Sequence, residues 1–198
     1  MKKVAVIVGT YNSGSSALAE LVVNLGFTVP PPDFQGHHEP AGLRTLLVNR
    51  WPEPSLLERM GGHDTAAQVK AWVETCKRNY GDIVLKHPLI PLMGREMMDA
   101  CFGPSRKYLV ISRRPKYSDA GLAKRKWFQD SDEMQKKLRR AIRDAFFKQV
   151  LEESEVYTLS YEEMCNAPSL IAAEVADFLE VKRNPKAGWH IRPWAAPK

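Results

Sequence analysis

A chain of 198 residues, 44% hydrophobic and 26% charged, is long enough for one domain with a full core and too ordinary in composition to be disordered. Its 29 Lys and Arg against 23 Asp and Glu leave a net charge of +6, which suits an anionic ligand or surface and says nothing about fold. Cys76, Cys101 and Cys165 are too few and too far apart for a disulfide framework or a zinc pair, so a reducing, cytoplasmic setting is expected.

Val4 to Val8 is a β-branched run with the pattern of a strand buried on both faces, and it is too short for a signal segment or a membrane span. A Gly/Ser-rich turn follows. Ala17, Leu18, Leu21, Val22 and Leu25 then recur at helical period, with Gly26 as the closing cap. Phe27 to Val29 reads as a short second strand, stopped by Pro30-Pro31-Pro32. Helices are predicted from Ala41 to Arg50 and, capped by Asp64, from Thr65 to about Tyr80. A third strand is expected over Asp82 to Lys86, a helix from Leu89 to Cys101, and a fourth strand over Lys107 to Ser112. Two more helices are predicted, roughly Tyr117 to Phe128 and Asp132 to Leu151. Val156 to Ser160 is the fifth strand, and Ser169 to Leu179 the last helix, with an apolar face at Leu170, Ala173, Val175, Ala176 and Leu179. Strands alternating with helices imply a parallel sheet covered on both faces. The fold class is therefore α/β, with about five central strands and residues 1–198 forming one domain.

The first loop is the most informative segment. Gly9-Thr-Tyr-Asn-Ser-Gly-Ser-Ser16 has the frame of a phosphate loop, placed directly between strand and helix. Glycines at Gly9 and Gly14 let backbone N–H groups converge on an anion at the helix N-terminus, and Ser13, Ser15 and Ser16 add hydroxyls. Ser15 stands where an ATPase or GTPase places its lysine, and no predicted strand ends in an Asp for magnesium. A nucleotide kinase-like phosphotransferase is therefore disfavoured.

Gly9 to Leu18 (GTYNSGSSAL) resembles the G-x-x-(R/K)-S-G-T-(S/T)-x-L loop of sulfotransferases. Four more segments follow in that family's order. Gly36-His-His-Glu-Pro40 is similar to its G-x-x-E segment, and Leu85-Lys-His-Pro88 to its K-(D/H)-P. Arg113-Arg-Pro115 followed by Leu122-Ala-Lys-Arg125 looks like R-(D/N)-P and the S-L-x-x-R after it. Ser160-Tyr161-Glu-Glu and the later Phe178-Leu179 look like Y-E-D-L and F-L-G. The resemblance spans about residues 4 to 180. It implies a three-layer P-loop-type fold and sulfuryl transfer from PAPS (3′-phosphoadenosine 5′-phosphosulfate) to a hydroxyl or amine, without a metal. It also implies a site of Gly9, Asn12, Ser13, Gly14, Ser15 and Ser16 on the phosphosulfate, with Arg113, Gly121 and Tyr161 completing the nucleotide site. The sequence departs from the family at Asn12, where a Lys or Arg is usual, and at Gly121, where a serine is usual.

Lys86 is then the remaining cation for the transferring group, and Glu39 and His87 are the titratable candidates for the acceptor proton. Adjacent histidines at His37 and His38, with no second ligand pair, do not make a metal site. The partners expected are the nucleotide co-substrate and an unidentified acceptor. Nucleic acid is poorly supported, because the basic stretch from Arg113 to Arg143 has few interleaved aromatics beyond Trp127 and Phe128. A non-catalytic phosphonucleotide-binding module is the alternative. In the Pro-rich tail, Trp189 and Trp194 are expected either to anchor the chain to the core or to belong to a faint R-K-G-x-x-G-x-W element.

Overall fold

The computed structural model describes residues 2–33, 36–48, 63–93, 95–114, 116–118 and 156–192. Most of the two helices predicted between Tyr117 and Leu151 lies outside them, as do Gly121, Leu122 to Arg125 and Trp194. Four strands form one parallel sheet: β1 Val4–Gly9, β2 Ile83–Lys86, β3 Arg106–Ser112 and β4 Val156–Ser160, in the order β2-β1-β3-β4.

β1 is apolar at every position because both of its faces are covered. Val4, Val6 and Val8 point into one core, with helices α2 (Ala41–Val48), α3 (His63–Tyr80) and α4 (Arg95–Phe102) supplying Leu43, Leu47, Val69, Val73, Met98 and Phe102. Ala5 and Ile7 point into the other. There they meet Leu18, Leu21 and Val22 of α1 (Ser15–Asn24), Met164 of α5 (Tyr161–Asn166) and Ile171 and Val175 of α6 (Pro168–Phe178). Strict alternation along one strand thus sorts side chains into two cores, which is the three-layer arrangement.

Three expectations are corrected. The described sheet has four strands, not about five, because Phe27 to Val29 contributes a single bridge at Thr28 to Ile83. Thr28 N–H donates to the Asp82 carbonyl and the Thr28 carbonyl accepts from Val84, but the prolines that follow have no N–H to extend the ladder. The helix expected from Leu89 to Cys101 is divided into a 3-10 turn, Ile90–Met93, and α4, with Pro91 unable to donate within the first piece. On α6 the buried face is Ile171, Ala172, Val175, Ala176 and Leu179, while Leu170 is exposed. The observed set repeats at i, i+1, i+4, i+5 and i+8, one helical stripe that excludes Leu170.

Trp189 does not anchor the tail; it is 69% exposed, with the Lys186 ammonium over its ring. Ala187 and Ile191 are buried instead, and the tail is tied to α1 by Asn24, Asn184 and His190.

Candidate active site

All four strands are parallel, so their C-terminal ends share one edge, the edge at which open α/β sheets bind ligands. Register places Ile7 beside Lys86, Gly9 beside Ile111 and Ser112 beside Ser160. The phosphate-type loop, Lys86-His87, Arg113 and Tyr161 therefore emerge side by side from segments remote in sequence.

The loop itself depends on close approach. A Cβ on Gly9 would lie 2.5 Å from Ser13 Oγ. Gly14 is left-handed at φ +92°, and a Cβ there would lie 2.1 Å from the Tyr161 ring. Tyr161 is held in that place by a capping box at the start of α5: Ser160 Oγ accepts from Glu163 N–H, and Ser160 N–H donates to the Glu163 carboxylate. Gly14→Ala is expected to cost roughly 2 to 4 kcal/mol through backbone strain and overlap with the ring, read as a lowered midpoint in thermal unfolding. A parent-like midpoint would show that the ring yields freely.

At the N-terminus of α1 no side chain caps the helix and no acidic residue occupies its first turn. Ser13 is fully buried, and its Oγ has no hydrogen-bond partner among the described residues. Uncapped N–H groups together with an unsatisfied buried hydroxyl suit a phosphate-type anion.

Lys86 is only 4% exposed. Its Nζ donates to Ser16 Oγ at 3.0 Å, to the His37 carbonyl at 3.0 Å and to Glu39 Oε1 at 2.7 Å. An ammonium has three donors, and here all three are engaged. Burial pulls the Lys86 pKa down, while the Glu39 carboxylate opposes that pull. Glu39 is set in place by Asp33, whose carboxylate accepts from His38 N–H at 3.1 Å and Glu39 N–H at 2.9 Å.

His87 is buried beside this pair. Its Nδ1 accepts from Leu89 N–H at 3.2 Å, which assigns the ring proton to Nε2, 3.9 Å from Glu39 Oε2. Burial first, then the charges of Lys86 and Arg44, lower its pKa to about 3. Tyr11, also near Glu39 and Arg44, is pushed up to about 12, chiefly by burial. Between pH 6.5 and about 3 the unfolded chain binds a proton at His87 that the folded chain refuses, so stability falls as the pH drops through that window. Replacing His87 with Gln is expected to flatten this part of the stability–pH curve; an unchanged slope would assign it to other groups.

On the far side of the loop, the Arg113 guanidinium lies over the Tyr161 ring, 4.7 Å from its centroid, and Arg113 Nη1 lies 3.4 Å from the Asn12 carbonyl. Asn12 is left-handed at φ 58°, and its Nδ2 donates to the Ser118 carbonyl at 2.9 Å. The structure thus brings Gly9, Asn12, Ser13, Gly14, Ser15, Ser16, Glu39, Lys86, His87, Arg113 and Tyr161 to one edge, while Gly121 lies outside the described residues. The sequence reading missed Asp33 and, although Ser118 stands out as a serine close to the Gly121 position, it missed the use of the Ser118 carbonyl. An Asp three residues before Gly36 is a turn signal for the first, but the carbonyl of Ser118 carries no sequence signal at all.

Solved structures carry the comparison further. A sulfotransferase domain from the curacin biosynthetic pathway matches with a TM-score of 0.62 at 15% identity, over 94% of this chain and 77% of that one. The chain has a sulfotransferase-like fold. A sulfotransferase from Alicyclobacillus acidocaldarius matches at 0.54 and 16% identity, over 93% of this chain and 85% of that one. A retinol dehydratase in complex with androsterone and the inactive cofactor PAP (3′-phosphoadenosine 5′-phosphate) matches at 0.53 and 14%, over 95% of this chain and 62% of that one. A sugar kinase from Janibacter matches at 0.51 and 12%, over 95% of this chain and 99% of that one. No family model matches the sequence, and neither does any curated protein sequence. No group of three or more His, Cys, Asp and Glu among the described residues is placed to hold a metal, and no described helix is long and apolar enough to cross a membrane.

Proposed function

We propose that this sulfotransferase-like chain moves a sulfuryl group from PAPS to a hydroxyl or amine of a second substrate. The observation that carries the reading is the Lys86 ammonium, which touches the loop hydroxyl of Ser16 and the Glu39 carboxylate at once. Loop, cation and carboxylate are the parts that metal-free transfer from an activated phosphate needs. The bound donor supplies sulfur already activated on its 5′-phosphate. Loop N–H groups and the hydroxyls of Ser13, Ser15 and Ser16 hold that phosphate, Arg113 holds the 3′-phosphate, and Tyr161 lies against both Gly14 and Arg113.

Because the three donors of Lys86 are engaged, it reaches the donor by exchanging one of them, and exchanging Glu39 leaves that carboxylate for the acceptor. The acceptor heteroatom bonds to sulfur, the bridging oxygen departs on PAP with the bonding electrons, and the acceptor proton passes to Glu39. Glu39 suits this better than His87, whose Nδ1 is occupied and whose basicity burial has removed.

The test is transfer from labelled PAPS without magnesium to a panel of alcohols, phenols and amines, with PAP binding measured in parallel. Transfer is expected, and Arg113→Ala is expected to weaken PAP by about tenfold or more. PAP binding without transfer to any acceptor would favour the non-catalytic module. Magnesium-dependent turnover of ATP with no response to PAPS would favour the phosphotransferase that the sugar-kinase likeness keeps open.

A further inference from the structure

Asn12 occupies the loop position where the resembled family carries a cation, and in this structure it does other work. We infer that Asn12 is a positioning residue that ties the phosphate loop to the Arg113 segment and so sets the spacing between two phosphate subsites. The inference rests on the reading of the site as one for a nucleotide phosphorylated at both its 3′ and 5′ positions.

Four contacts join the segments. Asn12 Nδ2 donates to the Ser118 carbonyl at 2.9 Å. Arg113 Nη1 lies 3.4 Å from the Asn12 carbonyl. The Tyr161 ring packs on Gly14 and carries the Arg113 guanidinium over it. Arg114 N–H donates to the Glu162 carboxylate at 3.3 Å, from the same helix start as Tyr161. Beyond Arg114 the chain turns at once, with Tyr117 and Ser118 N–H groups donating to the Arg114 carbonyl. Asn12 therefore grips this turn from the loop side, while α5 grips it from the other.

The backbone explains the residue type. At φ 58° Asn is among the few residues with a side chain that sit without large cost, because its short amide can hydrogen-bond locally, whereas Lys and Arg have no such compensation. One amide proton of Asn12 is committed to Ser118, so the group serves as a strut. A rigid spacing between anion subsites rejects ligands that fill only one of them, because the unfilled subsite returns none of its binding energy.

The test compares affinities for PAP and 5′-AMP by calorimetry in the parent, Asn12→Gly, Asn12→Asp, Arg113→Ala and the Asn12→Gly/Arg113→Ala double variant. Glycine keeps the left-handed backbone and deletes the strut; aspartate keeps the shape, deletes the donor and adds a negative charge beside the 5′-phosphate, which weakens both nucleotides. Asn12→Gly is expected to lower PAP affinity by about tenfold while 5′-AMP changes by less than about threefold, and Asn12→Asp to lower both, with PAP losing about tenfold more than 5′-AMP. In the double variant the loss of PAP preference should be no greater than in Arg113→Ala alone, as for groups acting through one another. Equal losses for both nucleotides would mean that Asn12 only supports the loop, and would overturn the inference. A parent that prefers PAP, with both Asn12 variants keeping that preference, would overturn it while leaving the proposed function intact. A parent that binds PAP and 5′-AMP alike would overturn both. Should Asn12→Gly fail to fold, Asn12→Asp carries the same comparison.

Discussion

Lys86→Ala and Lys86→Met are expected to lower sulfuryl transfer by about 10² to 10³ while nucleotide affinity changes by less than about tenfold. The difference arises because negative charge grows on the departing phosphate only as the bond to sulfur breaks, so a cation in a water-excluded site favours the transition state over the ground state. Lys86 is the buried ammonium at the end of β2, and its three contacts aim it at the loop. Its removal also leaves Glu39, largely enclosed, without its ion pair, and breaking one side of a buried pair typically costs about 3 to 5 kcal/mol. Methionine fills the stem volume that alanine leaves empty, so the two variants separate packing from charge: Lys86→Met should melt higher than Lys86→Ala and transfer no faster. Lys86→Arg should not restore the rate, because a planar fork cannot reproduce three divergent donors. Single-turnover rates at saturating PAPS, set beside melting curves, are the measurement. Parent-level transfer by either neutral variant would remove the ammonium from the reaction.

The second large effect is expected at Glu39. Glu39→Gln keeps an oxygen for Lys86 and the side-chain shape, and loses the ability to take a proton at working pH. A positioned base contributes about 10² to 10⁴ in rate, so transfer should fall within that range while PAP binding holds. His87→Gln should cost less, because His87 is a neutral ring whose Nδ1 already accepts from Leu89. The two residues also differ in how acceptor pKa matters: without Glu39, acidic phenols that lose their proton unaided should retain more of their rate than aliphatic alcohols. If Glu39→Gln transfers to an aliphatic alcohol as fast as the parent, the carboxylate serves only to hold Lys86.

Much of this architecture is legible in the sequence. The run at Val4 to Val8, the turn after it and the period of Leu18, Leu21 and Val22 specify a strand, a loop and a helix by purely local chemistry. The strand ends at Lys86, Ser112 and Ser160 were placed to the residue, because a polar residue terminates each apolar run. What local pattern could not supply was partnership. That Phe27 to Val29 would pair through Thr28 alone depends on where Asp82 and Val84 lie, and that Leu170 faces outward depends on which stripe of α6 meets the sheet. Lys86 and Glu39 were singled out separately as cation and carboxylate; that they touch follows from Asp33 bending residues 36–40 back over the loop. Asn12 looked like a lost contact by residue type, and only its reach to Ser118 shows what it does.

The register of the sheet bears on how the chain reaches this state. β1 leads in sequence and is central in space: Val4 pairs with Ile83 on one side and Arg106 on the other, and β4 must arrive before the sheet is complete. No described strand pairs with one close in the chain, so every described rung of the ladder waits for a long loop to close. During synthesis α1 follows at once to cover Ala5 and Ile7, but Val4, Val6 and Val8 leave the ribosome well before α3 and α4 exist to cover them. Folding should be slow for the size of the protein, and the nascent chain should depend on holdase chaperones more heavily than a helical bundle of equal length would.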